Sequence, residues 1–411
     1  MSDSWKPTDD AQVLEAVAWA SAEEVPLEIV GQGSKRSFGR PLQCERDLDL
    51  SGLSGITLYE PGELVLSAKA GTALSEIRAA LEDARQELAF EPPDLAPFFG
   101  RPAGAGTLGG TIAANLSGPR RINAGAARDH FLGFQAVSGR GERFKSGGRV
   151  MKNVTGYDLP KLLAGSFGTL AVMTDVTVKV LPAPEKQRTV LLFGLDDAAA
   201  VAALSAALGS PHEVSGAAHL PAAVAAGSSV DFVAGAGTAV TAIRLEGHGP
   251  SVEARCAALR EALAAGGPAA AAQEELHSQR SRTLWREIAE LAPFVVRPEL
   301  AVWRISVAPS EGPKVAATLA DLPEMLHYFD WGGGLLWLGT AAGGTAEEVR
   351  VRGAVATVGG HATLLRAPAR VRLAVPVFQP LDAARAALSR RVKEGFDPRR
   401  ILNPGRMVPE L

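Results

Sequence analysis

Glycine is concentrated where this chain has to change direction. Clusters at 31–39, 100–118, 139–148 and 165–168 sit within strand-like or turn-like sequence, whereas the glycines beyond residue 200 are scattered among alanines. With 44 glycines in 411 residues, the chain exceeds the usual level of about 7%. Their placement matters more than their number, because glycine permits tight turns and close backbone approach. Between 91 and 118 there is no long periodic element, and loops of that length are uncommon unless they carry a function.

The chain is longer than one hydrophobic core usually supports, so two domains are expected. Hydrophobic residues at 46% and charged residues at 21% give an ordinary globular balance. A net charge of −3 offers no overall field for holding nucleic acid. Cys44 and Cys256 are the only cysteines. They exclude a disulfide framework, a four-cysteine zinc site and an iron–sulfur cluster bound by this chain alone. The opening residues lack a basic-then-apolar signal pattern, and no uninterrupted apolar run is long enough for a bilayer. The apolar stretch 191–209 is broken by Asp196-Asp197. A soluble, cytoplasmic chain is expected.

Periodicity predicts helices over 9–21 (Val13, Leu14, Val17, Trp19) and 73–88 (Leu74, Ile77, Leu81, Leu88). Strands are expected at 25–30, 48–50, 64–70, 131–138 and 170–180. Leu181-Pro182-Ala183-Pro184 then breaks the pattern and marks a boundary. Beyond it, strands at 187–194, 213–220, 239–246, 301–307, 325–338 and 361–366 alternate with helices at 196–208, 250–265, 281–291, 312–321 and 345–358. A last helix is expected at 381–394. Two rounds of β-α-β-β sequence predict one antiparallel sheet with helices on one face. The fold class is α+β: domain 1–186, then an α+β, ferredoxin-like cap over 187–376, then a C-terminal helix and tail over 377–411 that return to the first domain.

Two loops invite a phosphate-binding reading. Gly31-Gln32-Gly33-Ser34-Lys35-Arg36-Ser37-Phe38-Gly39 follows a strand, and its small residues let backbone N–H groups converge, with Lys35 and Arg36 as counter-charge. A plain glycine-rich hairpin turn fits it equally. It lacks the Gly-Lys-Ser/Thr ending of a Walker loop. Gly104-Ala105-Gly106-Thr107-Leu108-Gly109 matches G-x-G-x-x-G, and Asp129 lies twenty residues further on. The Rossmann reading fails on context, because proline-rich 94–102 stands where a strand should be.

Taken in order, the motifs are more specific. Pro93 lies in a Pro-Pro-Asp step, followed by Thr107-Leu108-Gly109-Gly110-Thr111-Ile112-Ala113-Ala114-Asn115, Arg128 to Gly133, Gly156-Tyr157-Asp158-Leu159 and Gly165-Ser166-Phe167-Gly168-Thr169-Leu170. The series resembles the two-subdomain FAD-binding domain of the vanillyl-alcohol oxidase / p-cresol methylhydroxylase flavoproteins. Val150 to Asp158 and the tail Asp397 to Gly405 are similar to the smaller FAD-binding subunits of bacterial glycolate oxidases, which work with a larger flavin subunit and an iron–sulfur subunit.

The resemblance implies that Gln32, Gly33, Ser34, Lys35, Arg36 and Ser37 cradle the FAD pyrophosphate. It places Pro93, Thr107, Gly109, Gly110, Ala114, Asn115 and Gly118 along the cofactor, with Gly168, the Val172 backbone and Asn403 also against it. Relatives often carry Glu and Gly where this chain has Phe167 and Ala171. The glycine loop offers no histidine or cysteine for a flavin bond, which implies noncovalent FAD. His130 reads as a structural or surface histidine.

Oxidising a 2-hydroxy acid needs a cation for the carboxylate, a base for the hydroxyl proton and an oriented hydride acceptor. The seven histidines (130, 212, 219, 248, 277, 327, 361) form no cluster resembling that of the metal-dependent relatives, so no metal site is expected. Glu246-Gly247-His248 reads as a turn, and Trp331 to Leu338 as a packed hairpin. Arg304, His327, Tyr328, His361, Arg366 and Arg372 are candidate catalytic groups in the cap, with none assigned. The alternation Trp303-Arg304-Ile305 predicts a strand arginine in a surface ion pair. Three readings follow: an FAD-bearing subunit of a glycolate-oxidising complex, a self-sufficient FAD-linked 2-hydroxy-acid dehydrogenase, and a non-catalytic assembly subunit. In the first, any membrane association comes through partners.

Overall fold

The computed structural model describes residues 3–149, 156–265, 273–341 and 344–411. The motif residues Val150 to Thr155 therefore lie outside the described residues. The chain divides into two compact units. One comprises 1–117, 125–183 and 380–411, and the other 118–124 and 184–379. The short segment 118–124, which a single division near 186 assigns to the first domain, packs with the second unit.

In the first unit a small parallel sheet has the order Asp3–Trp5, Arg46–Asp49, Leu27–Val30. The helix Asp10–Glu23 buries Val13, Val17 and Ala20 at i, i+4, i+7; of the other apolar positions read from the sequence, Leu14 is half-buried and Trp19 is exposed. Asp9 caps it, accepting from the Ala11 and Gln12 N–H groups at 2.9 Å each. This helix shares a core with Leu27, Leu48, Val172 and, from the far end of the chain, Ile401 and Leu402. A five-stranded antiparallel sheet forms the second layer, ordered Ile56–Glu60, Val65–Lys69, Ala171–Lys179, Phe131–Ser138, Arg143–Gly147. The helix Leu74–Asp83 packs on it through Leu74, Ile77 and Leu81. No strand precedes Gly104, and only the short helix Leu108–Ala113 follows, so a Rossmann unit is absent there.

The C-terminal tail is held by buried charge. Lys393, at the end of the helix Ala383–Phe396, gives its ammonium to Asp397 Oδ2 at 2.7 Å and to the carbonyls of Thr169 and Leu402 at 2.6 and 3.0 Å. Asp397 in turn accepts from the N–H groups of Ile401 and Leu402 at 3.1 and 2.9 Å. Both side chains are essentially solvent-free, so their charges are satisfied by fixed partners rather than by water. Gly139 is required beside them, since a Cβ there would stand 2.3 Å from Asp397 Oδ1.

The second unit is built on one eight-stranded antiparallel sheet, ordered Gln273–His277, Lys186–Phe193, Val240–Gly247, Val214–Leu220, Leu326–Asp330, Leu335–Ala341, Leu300–Val307, Gly360–Arg366. Each half follows β-α-β-β-α-β order along the chain, the ferredoxin-like pattern. The halves meet edge to edge at His219 and Phe329. Helices 197–208, 249–265, 312–318 and 345–358 cover one face. The helix Ser278–Ala289 departs from the predicted single helical layer. On the strand Lys186–Phe193, Val190 and Leu192 join the first helical layer, while the alternate residues Gln187 and Thr189 bond Ser281 at 3.0 and 2.7 Å. Trp285 Nε1 also donates to Thr189 at 2.8 Å. The period-2 alternation of a strand therefore puts this helix on the opposite face. The hairpin at Trp331–Gly333 is packed as expected: a Cβ on Gly333 (φ +100°) would stand 2.7 Å from Val201.

Replacing Asp397 with Ala leaves the Lys393 ammonium buried and unpaired, so a loss of about 3–5 kcal/mol is expected, read as a lowered urea midpoint. A midpoint within experimental error of wild type contradicts the anchoring role of this pair.

Candidate cofactor site

Segments far apart in sequence converge on two adjoining clefts of the first unit. These share Ile29, Gly31, Thr107, Gly110, Ala113, Phe167 and Asn403 as walls. One extends along Gly31 to Arg36 and to Ala114, the other toward Gly109, Gly168, Ala171 and Met173.

The loop after Val30 turns twice in quick succession, with Arg36 N–H donating to Gly33 O and Phe38 N–H to Lys35 O. Gly33 takes φ +73° with only side-chain atoms at 3.5 Å or more around its missing Cβ. Conformation, not crowding, demands glycine there. Gly31 is different, since a Cβ would stand 2.7 Å from Thr107 Oγ1. Thr107 caps the helix Leu108–Ala113, accepting from Gly110 N–H at 3.2 Å. Gly109 meets Ala70 O at 2.8 Å from its virtual Cβ, so it seats this helix on the end of the strand Val65–Lys69.

The two basic residues of the loop have different fates. The Arg36 guanidinium is taken by Glu28 and by Asp47 at 3.0 Å. It lines the cleft with its charge already shared by two carboxylates. Arg406 joins the same group, bonding Glu28 Oε1 at 2.6 Å and the Arg36 carbonyl at 2.8 Å. Burial pushes the Glu28 carboxyl up, but Arg36 and Arg406 outweigh it and hold it below the usual range. Lys35, by contrast, hydrogen-bonds only Ser34 Oγ, at 3.0 Å, and has no ion-pair partner among the described residues. Burial lowers its pKa to about 8, partly opposed by Asp94.

Asn403 fixes two walls at once. Its side-chain oxygen accepts from Ile29 N–H at 2.8 Å and its amide donates to Phe167 O at 2.7 Å. Gly168, at φ +69°, passes so close that a Cβ would stand 2.8 Å from Asn403 Nδ2. Phe167 itself takes φ +54° and packs edge-on to Phe38 at 4.8 Å.

Of the residues singled out from sequence, Gln32, Gly33, Ser34, Lys35, Arg36, Thr107, Gly109, Gly110, Ala114, Gly168 and Asn403 line these clefts. Ser37 is exposed and Pro93 buried, and neither is a wall. Asn115, at φ +47°, turns its Oδ1 to Arg128 N–H at 3.0 Å. Gly118 belongs to the second unit. The Val172 side chain lies in the core, so its neighbours Ala171 and Met173 face the cleft instead. Glu28, Phe38 and Arg406 are walls that sequence reasoning missed. Arg406 follows directly on the quoted tail motif, which was its one available signal.

The cap candidates sort by what they touch. Tyr328 donates to Ile288 O at 2.8 Å, and Arg366 to the carbonyls of Leu300, Phe294 and Arg297, which gives both a structural task. Arg372 bonds Ala367 O at 3.0 Å. His327 bonds Asp197 at 2.8 Å, with His219 on the other oxygen at 3.3 Å. Arg304 is not in a surface ion pair: it lies beside Trp331 and Trp337. In the first unit, His130 is buried and tilted against Phe90 at 5.4 Å, as a structural histidine. Burial pushes the thiols of Cys44 and Cys256 up to about 11 and about 12, so neither is a ready nucleophile. Among the described residues no group of three or more His, Cys, Asp or Glu is placed to hold a metal ion.

The fold and the cleft define a class. Residues 5–147 match the family model described as an FAD binding domain. The structure of p-cresol methylhydroxylase with substrate bound superposes with a TM-score of 0.68 at 15% identity, covering 98% of this chain and 88% of that one. A 4-ethylphenol oxidase from Gulosibacter chungangensis gives 0.69 at 16% identity, covering 99% and 89%. The glycolate oxidase subunit GlcE of Escherichia coli is 37% identical over 401 residues, 97% of each chain. The chain belongs to this glycolate oxidase subunit family of FAD-dependent oxidoreductases. The glycolate oxidase subunit GlcD of Bacillus subtilis is 30% identical over 196 residues, 47% of this chain and 40% of that protein.

A lysine that titrates near pH 8 gives the cleft a pH signature. Protonated Lys35 attracts an anion and neutral Lys35 does not, so affinity for FAD is expected to fall as pH rises through about 8. Equilibrium binding to apoprotein between pH 7 and 9 checks this. Lys35→Met removes the slope, and a wild-type slope in that variant contradicts the role.

Proposed function

We propose that this chain is the FAD-holding subunit of a multi-subunit complex that oxidises glycolate to glyoxylate and passes electrons to partner subunits. The observation that carries the reading is the convergence of the glycine loop, the 107–114 segment, Phe167–Gly168 and Asn403 on two adjoining clefts, one of them holding a Lys35 ammonium that has no ion-pair partner among the described residues. The cleft suits a long cofactor with a doubly charged pyrophosphate. Backbone is laid open at Gly31, Gly110 and Gly168, and Lys35 lies near Gly110, whose virtual Cβ is 3.5 Å from Nζ. Lys35, with Ser34, would face the pyrophosphate, and Asn403 would hold the loop and the Phe167 turn at the separation the cofactor needs. Bound noncovalently, FAD supplies the two-electron acceptor.

Onward transfer in single electrons needs metal or flavin centres beyond this chain, because Cys44 and Cys256 are too few to ligate a four-cysteine cluster. A larger flavin subunit and an iron–sulfur subunit are the partners this reading calls for. Among the described residues no helix is long and apolar enough to cross a membrane; a cytoplasmic place with membrane contact through partners is consistent with that.

The purified chain should show flavin bands that persist with anaerobic glycolate and bleach once partner subunits are added. Gly110→Val should lose the bands by filling the cleft floor. Bleaching by the chain alone makes it a self-sufficient dehydrogenase, and absence of flavin after incubation with FAD leaves only an assembly role.

A further inference from the structure

The second unit holds a group of cationic and aromatic side chains of its own. On the strand Leu300–Val307, Trp303 and Ile305 point into the helix-covered core with Leu336 and Leu338. Arg304, between them, stands on the other face of the sheet. Trp337 is its register partner on one side and Thr363 on the other, and His361 pairs with Ser306 one step along the same face. The Arg304 guanidinium lies 5.0 Å from the Trp331 ring centre and 6.0 Å from that of Trp337. Arg121, from the 118–124 segment of the same unit, lies 4.3 Å from the Trp331 ring. Trp331 is held in place by its indole N–H, which donates to Gly118 O at 3.2 Å.

Two donors here are uncommitted. Among the described residues Arg304 makes no hydrogen bond and no ion pair. Trp337 is 8% exposed, and its Nε1 has no partner. A buried indole donor left unmade is costly, and a ligand acceptor beside the half-buried Arg304 guanidinium would satisfy it. The charges that act on Arg304 are Arg121 and Asp330, whose carboxylate accepts from Trp331 N–H at 2.7 Å, so the three groups together are net positive. Burial and the Arg121 charge pull Arg304 down to about 10, against the opposing pull of Asp330. Burial and the same two arginines lower His361, which favours its neutral form at pH 7. One negative charge balances two arginines and one aspartate, whereas a dianion overshoots. The guanidinium fork matches a planar carboxylate, and an indole N–H adds one further donor to it.

We infer that Arg304 and Trp337, with the Arg121 charge behind them, form a binding site for the carboxylate of a small monocarboxylic acid on the second unit's sheet. The site is argued from second-unit residues alone, and only the choice of glycolate as a probe rests on the proposed function.

The test is a tryptophan-emission titration of the full chain with glycolate, with acetate as a carboxylate that lacks the oxidisable hydroxyl, and with glycolamide and inorganic phosphate as controls. Both carboxylates should give a saturable change and glycolamide none. Arg304→Met should abolish the response. Arg304→Lys, which keeps charge but loses the fork, and Trp337→Phe should each weaken binding about 10-fold. All three variants should keep wild-type flavin bands. If Arg304→Met fails to fold, the lysine and phenylalanine variants carry the test. No saturable response in wild type, wild-type affinity in the Arg304 variants, or phosphate binding as tightly as glycolate overturns the site. Loss of flavin with retained carboxylate binding counts against the cofactor reading alone.

Discussion

The first unit depends on an interaction between the last residues of the chain and its first parallel strands. Lys393 and Asp397 bury a mutual ion pair; the other two ammonium donors go to the carbonyls of Thr169 and Leu402, and the carboxylate also accepts from the N–H groups of Ile401 and Leu402. That sets the tail beside Leu27, whose N–H and carbonyl bond Ile401 and Asn403. Asn403 then reaches Ile29 and Phe167 together. A buried pair of this kind adds little net stability over an apolar core. Its effect here is positional: it sets where the walls of a cofactor cleft stand.

The electrostatics of that cleft follow from unequal pairing. Of the cations close to the glycine loop, Arg36 and Arg406 are drawn onto Glu28. They stiffen the loop and no longer act as open positive charge. Lys35 has no carboxylate within ion-pair distance among the described residues, and burial lowers its pKa to about 8, so it remains largely protonated at pH 7. An arriving pyrophosphate replaces the water that Lys35 has lost, so the group binds an anion more strongly than an exposed lysine does.

The second unit applies the same rule to a different surface. Its two ferredoxin-like halves make one long sheet, and one face is closed by four helices. Arginines on the other face mostly meet acceptors: Arg120 pairs with Glu246, and Arg366 with three carbonyls. Arg304 meets two indole rings instead. Cation–π contact lowers the cost of burying the charge but leaves its N–H donors open.

Much of this architecture was legible from the sequence alone. The helices expected at 9–21, 196–208 and 345–358 lie within two residues of their observed bounds, whereas the one expected over 73–88 ends at Asp83 and leaves Leu88 outside it. Glycines lie on the cleft where the backbone takes positive φ, as at Gly33, or where a Cβ also has no room, as at Gly168. Strand alternation at Trp303-Arg304-Ile305 showed a polar position but not its partner. Local sequence does not encode which distant group a charge will meet. Only the tertiary structure decided that Arg36 is spent on Glu28 and Asp47 while Lys35 stays open, that 118–124 joins the second unit, and that the helix 278–289 crosses to the other face. Each of these outcomes turns on contacts between residues far apart in the chain, and a long-range Coulomb or packing term has no signature in the neighbouring residues.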